Sequence, residues 1–254
     1  MPKQISPVVK IKGKIDQLNF FETADGYMVQ KTARYSIEKF RTAKSYDLTR
    51  RNASEFGIAG AAGKIFRTAC STEVSKAGDP RLVSRVTRTM VKVLQSDTES
   101  EYGSRNVHKG SKQGLVGLEF NDTLPFSQAV IIEGGWSIAV GRPSGLVNIT
   151  LPALIPYDKI HAPKGTTHYH FFAAAAAIDF VNGQGYTARA ETVELPWSKD
   201  PAEAGSLQMM LPANSPHPIF VVLGIEFKKI VNGKSWDFTD QSCAAAVLAV
   251  SEPA

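Results

Sequence analysis

The chain has 254 residues and a mass of 27.6 kDa, enough for one large domain or two modest ones with a buried core. Its 43% apolar and 21% charged composition excludes wholesale disorder, and its two cysteines exclude a disulfide framework and a cysteine-built zinc site. The formal charge of +5 is uneven: residues 1–120 hold 21 Lys or Arg against 12 Asp or Glu, net +9, and residues 121–254 hold 8 against 12, net −4. Halves of opposite sign would steer different partners or attract one another head to tail, although solvated basic helix faces would give the same tally.

The N-terminus has no apolar core followed by a small-residue cleavage site, and no uncharged apolar run reaches the roughly 18 to 20 residues of a membrane span. The expected location is cytoplasmic by default, a phage or other particle component being compatible with it. Pro2 and Pro7 disfavour a regular start, so residues 1–9 read as an arm. Lys10 to Phe21 alternates polar and apolar residues, Asp25-Gly26 is a hairpin turn signal, and Tyr27 to Lys31 is the returning strand. A two-stranded hairpin is marginal alone, so it must add strands, pack on helices or join a neighbouring subunit. Residues 32–48 are polar and ambiguous, with one short helical turn over Ser36 to Phe40.

A long helix is expected from Thr49 or Asn52 to Cys70, with Phe56, Ala59, Gly63, Phe66 and Cys70 at helical spacing. Gly57, Gly60 and Gly63 make it small-sided, each costing about 1 kcal/mol against alanine in a helix interior, which predicts a close contact with a second helix or another subunit. The stretch Gly57 to Lys64 is not a nucleotide loop: its spacing differs, Ile65 follows the lysine, and no hydrophobic strand precedes it. After a loop of about ten residues, Asp79 caps and Pro80 opens a second, antiparallel helix. Its apolar stripe is Leu82, Val83, Val86, Met90, Val93 and Leu94, and Arg81, Arg85, Arg88 and Lys92 lie along another side. Residues 99–114 read as a flexible basic loop.

From Leu115 onward, short apolar stretches punctuated by Gly and Pro predict strands. They cover Leu115 to Phe120, Phe126 to Ile132, Trp136 to Val140, Gly145 to Pro152, Thr167 to Ala177, Tyr186 to Glu194, Ser206 to Leu211, Ile219 to Phe227 and Ala244 to Val250. Ala173 to Ala177 has helical propensity, but its aromatic entry and the Asn182-Gly183 turn favour a strand and hairpin. The expected class is α+β: an arm over 1–9, a hairpin and antiparallel helix pair over 10–114, and a mainly antiparallel β-sandwich-like domain over 115–254.

Candidate chemistry is sparse. His168 and His170 would share one face of a strand and could join Asp158, His161 or His217 around a metal, but nothing fixes a third ligand. Cys70 and Cys243 read as two buried thiols, the alternative being one long-range bridge. No nucleophile elbow occurs, and neither catalytic residues, cofactor nor metal site is assigned. Arg81, Arg85, Arg88 and Lys92 are candidate phosphate contacts for nucleic acid, although no stacking aromatics interleave with them. Trp136 and Trp197, beside turns, are a candidate ligand platform for a glycan.

Two stretches carry a resemblance. Lys12 to Phe21 with Asp25-Gly26-Tyr27, and Thr49 to Gly57 followed by Gly63 to Arg67 and Arg81 to Val86, are similar to a group of uncharacterised proteins from Bacteroidota and their mobile elements. The resemblance covers about residues 10–95 and implies a source and an architecture, with no activity to carry over. The preferred expectation is a non-enzymatic structural or assembly protein, a homo-oligomer or a partner of other assembly proteins. Its self-association would run through Phe20, Phe21, Tyr27, Phe56, Gly60, Gly63 and Phe66.

Overall fold

The computed structural model describes residues 3–4, 9–23, 25–32, 36–232, 234–238 and 242–253. Six residues of the expected arm, 1–2 and 5–8, lie outside them. The chain divides into two compact units, residues 1–50 and 51–254. The helices after residue 51 share one core with the strands of the C-terminal half, on both sides of the 114/115 boundary placed by sequence.

In the first unit the alternating stretch becomes three antiparallel strands, β1 (Gly13–Ile15), β2 (Leu18–Thr23) and β3 (Gly26–Lys31), in that spatial order. The single strand expected from Lys10 onward is broken at Asp16, whose φ of 49° lies in the left-handed region suited to a tight turn. The Asp25-Gly26 turn is closed by Thr23, whose Oγ1 accepts from the Asp25 amide and donates to the Gly26 carbonyl. The Gln4 amide donates to the Tyr27 carbonyl and Lys3 bridges to Met28, adding a short pairing on β3. A short helix, α1 (Ile37–Thr42), starts at Ser36, whose side chain accepts from the Lys39 amide.

The second unit stacks helices, a central sheet and a smaller sheet. The helices are α2 (Asp47–Ala69), which begins at the end of the first unit, α3 (Ser71–Ala77) and α4 (Leu82–Gln95). The loop expected between α2 and α4 is thus mostly helix, ended by Gly78 with φ 63°. Asp79 Oδ1 accepts from the Arg81 amide at 2.7 Å in the turn before α4, whose N-cap is Arg81 without a side-chain cap, so the start expected at Asp79-Pro80 moves to Arg81-Leu82. Leu82, Val86, Met90, Val93 and Leu94 are buried from α4, and Ala59, Ala62 and Phe66 from α2. Phe66 packs edge-on against Phe220 and Phe120, with ring centroids 5.4 and 6.2 Å away.

Two long strands form the spine of the central sheet, β6 (His168–Asp179) and β10 (Ile219–Val231). β7 (Gln184–Glu191) and β8 (Leu195–Pro196) pair with β6, whereas β11 (Lys234–Asp237) and β12 (Cys243–Ser251) pair with β10, all antiparallel. Because side chains alternate faces, Phe172, Ala174, Ala176, Phe220, Val222, Ala245 and Val247 meet the helices. Phe171, Ala173, Ala175, Val221, Leu223, Ile225 and Ala244 meet the smaller sheet. That sheet is β4 (Ser137–Gly141), β5 (Leu146–Leu151) and β9 (Gly205–Met210), in the order β4-β5-β9. Burial on both faces explains the unbroken apolar runs, and tertiary pairing overrides the helical propensity of the alanines. The α+β class and the antiparallel sheets are as the sequence predicts.

Three expectations change. Phe126 to Ile132 is not a strand: α5 (Phe126–Ala129) occupies it, followed by one bridge from Val130 to Ile160. Leu115 to Phe120 is a capping segment along β12, where the Gly117 and Phe120 amides donate to the Val247 and Ala245 carbonyls and the Val247 amide donates to Leu118. Residues 99–114 are tied down rather than flexible. Asp97 accepts from the amides of Glu99, Ser100 and Asn106, Arg105 forms a two-pronged pair with buried Glu55 at 2.7 and 2.8 Å, and the Lys112 amide donates to Glu252.

Candidate assembly surfaces

The three-stranded sheet of residues 13–31 has unequal faces. The cross-strand pairs Ile15 with Leu18, Phe20 with Val29 and Glu22 with Tyr27 put Ile15, Leu18, Phe20, Tyr27 and Val29 on one side. Phe21 and Met28 lie on the other, beside Asn19, Gln30 and Lys14. Phe20 and Tyr27 therefore act together and Phe21 does not join them. Lys10 and Lys12 sit over the Tyr27 ring, 5.4 and 5.6 Å from its centroid, and Lys12 pairs with Glu22. No described residue of the first unit is buried.

The second surface is a groove of about 740 Å³ between α2 and α4, lined by Phe56, Gly60, Arg67, Val83, Thr87, Val91 and the aliphatic stems of Arg88 and Lys92. Phe56 is 63% exposed and Val83 49%. Val83 belongs to the predicted apolar stripe, but one residue after Leu82 it is turned about 100° away from the core, toward the groove. Gly60 has no atom within 4 Å of where a Cβ would stand, whereas a methyl at Gly63 would come within 3.3 Å of Val86. Gly63 is thus a contact between the helices. Phe66 is fully buried, so these two proposed self-association residues are corrected to interior ones.

The basic stripe is divided by its partners. Arg85 pairs with Asp79 at 2.7 Å and donates to the Glu119 carbonyl, so part of its guanidinium is engaged within the fold. Arg88 and Lys92 have no ion pair among the described residues, and Arg67 Nη1 is buried without a hydrogen-bond partner. Arg67 follows Phe56, Gly60 and Gly63 at helical steps and lines the same groove.

The two tryptophans are engaged separately. Trp136 packs on Phe126 and Phe171 and belongs to the core between the sheets. Trp197 donates through Nε1 to the Ile160 carbonyl and stacks on Tyr157, which carries the Lys199 ammonium 4.9 Å from its centroid. They do not form one platform.

A polar cluster seats α3 on the central sheet. Glu226 accepts from Lys76 at 2.9 Å and lies 3.3 Å from His170 Nε2, its cross-strand neighbour. Arg189 pairs with Glu73 at 2.8 Å and reaches the Ala69 carbonyl, and Lys76 also sits 4.7 Å from the Phe172 ring centroid. Burial pushes the Glu226 carboxyl up, but the hydrogen bonds from His170 and Lys76 outweigh it and hold its pKa at about 2. These charges neutralise one another within the fold. Cys70 and Cys243 are both free and buried, and burial raises both thiols, Cys243 to about 12. His168 and His170 share a face of β6, but among the described residues no group of three or more His, Cys, Asp or Glu could hold a metal ion. No described helix is long and apolar enough to cross a membrane.

Comparison of the chain with protein families, with curated proteins and with solved structures gave no match.

Proposed function

We propose that the protein is a non-enzymatic structural subunit that self-associates, with residues 13–31 drawing from a neighbouring copy the core they lack. The carrying observation is that the described residues of 1–50 form a sheet and a helix with no buried side chain, while one face of the sheet collects Ile15, Leu18, Phe20, Tyr27 and Val29. A small sheet needs a covered apolar face to be stable in water, and a domain of this size buries too little by itself. Side chains of these kinds contribute about 1.5 to 3 kcal/mol each when fully covered, so a second copy laid on this face supplies a driving force the unit does not otherwise have. The resemblance of residues 10–95 to proteins of mobile elements supports a component of a repeating particle.

Light scattering of the full chain from dilute to concentrated, at low and high salt, tests the reading. The expected result is a defined oligomer or a mass that grows with concentration, reduced by the double substitution Phe20→Ser and Val29→Ser while the near-ultraviolet dichroism of the body persists. A monodisperse species of 27.6 kDa under every condition overturns it.

A further inference from the structure

We infer that the groove between α2 and α4 receives the segment 191–194 of a second copy, the link between β7 and β8, with Val193 entering the groove and Glu191 and Glu194 meeting its basic rim. This assignment rests on the self-association proposed above and names a contact distinct from the sheet face.

The groove has features that the described residues do not explain. Gly60 is costly in the middle of a helix, by about 1 kcal/mol, yet a Cβ there would have no atom of another described element within 4 Å. A flat floor at that point serves something laid over it. Phe56 and Val83 stand exposed on the two walls, and fully covering a side chain of this type is favourable. Arg67 lines the groove, with an Nη1 that is buried and without a hydrogen-bond partner among the described residues. Arg88 and Lys92 complete a positive rim. The matching ligand is an apolar side chain flanked by carboxylates.

The chain presents that pattern on its own surface. Val193 is 77% exposed, the highest value among the described large hydrophobic residues, and it follows the end of β7 at the margin of the central sheet. Glu191 and Glu194 flank it, with side chains 67% and 38% exposed. Their pairings with Lys76 at 4.0 Å and with Lys228 at 2.7 Å leave carboxylate oxygens for further hydrogen bonds. The groove lies on the helix layer and the segment on a strand margin, so the contact joins two different patches. Such a heterologous contact repeats from copy to copy, closing into a ring or extending as a filament. It also gives a local meaning to the opposite net charges of residues 1–120 and 121–254.

Two full-length variants test the assignment, one with Val83→Cys and one with Val193→Cys, mixed under mild oxidation and separated without reductant. The native thiols are buried and do not compete. The expected product is a disulfide-linked pair containing one copy of each variant, and adding Phe56→Asp to the Val83→Cys copy lowers its yield about tenfold or more. Oligomers that form as in the natural chain without the mixed disulfide overturn this assignment and leave the self-association reading standing. A monomer at every concentration overturns both.

Discussion

Glu226 Oε2 lies 3.3 Å from His170 Nε2 across the β10–β6 pairing, with Lys76 of α3 2.9 Å from the same oxygen. One carboxylate thus joins two strands and a helix. Its folded pKa of about 2 lies below the ordinary 4.5, so the stabilisation is fully present above pH 4.5 and is lost as pH falls toward 2. The loss is on the order of 3 kcal/mol. Urea midpoints of the natural chain should fall steeply over that window, and those of Glu226→Gln should start lower and fall less. Parallel curves for the two proteins would remove this carboxylate from the account.

Glu55 and Arg105 form a second internal pair, two-pronged and with Glu55 also accepting from the Gly103 amide at 2.8 Å. Glu55→Ala leaves the partly buried Arg105 guanidinium without its partner and should lower stability. The same change should expose the peptide bonds after Arg105 and Lys109 to trypsin well before the rest of the body is cut. Unchanged cleavage would show that Asp97 and Tyr102 hold this segment without the pair.

Gly224 lies directly beneath the Phe172 ring, where a Cβ would come within 2.2 Å of a ring carbon. Gly224→Ala should destabilise the chain by about 1 to 3 kcal/mol through overpacking. Adding Phe172→Leu should recover part of that loss, because the two residues share one space. A double variant equal to the sum of the two single losses would contradict the contact.

Cys70 and Cys243 should resist a thiol reagent in the native protein, and both should react fully in denaturant, because each is buried and its thiolate is disfavoured. Modification of either one at the rate of a free thiol under native conditions would mean that the helix layer opens locally.

Much of the architecture is legible from spacing. The α4 stripe at Leu82, Val86, Met90 and Val93 follows the helical period, and β6 and β10 stand out as long apolar runs broken by turn residues. The elements misread are those where local pattern is ambiguous. Phe126 to Ile132 is apolar except at Ser127 and Gln128, and only the tertiary setting makes its first turn helical. The seven residues of α3 are too few to show a period.

The candidate surfaces are legible in part. Phe56 and Gly60 are identifiable because an exposed aromatic and an unneeded glycine share a helix face. Phe66, about 80° round the helix from Phe56, turns inward, and Gly63 lies between them against Val86 of α4. Pairings such as Glu55 with Arg105 or Lys76 with Glu226 join residues 50 and 150 positions apart. No local pattern encodes such distances.

Along the outer margin of β12 the carbonyls of Cys243, Ala245 and Val247 are already taken, by the Asn121 side chain and by the amides of Phe120 and Gly117. A foreign strand arriving there finds those backbone positions occupied, and cross-β templating along an alanine-rich strand is blocked at its most vulnerable rim. What meets this rim meets side chains, whose fit can be changed one residue at a time without freeing a backbone edge.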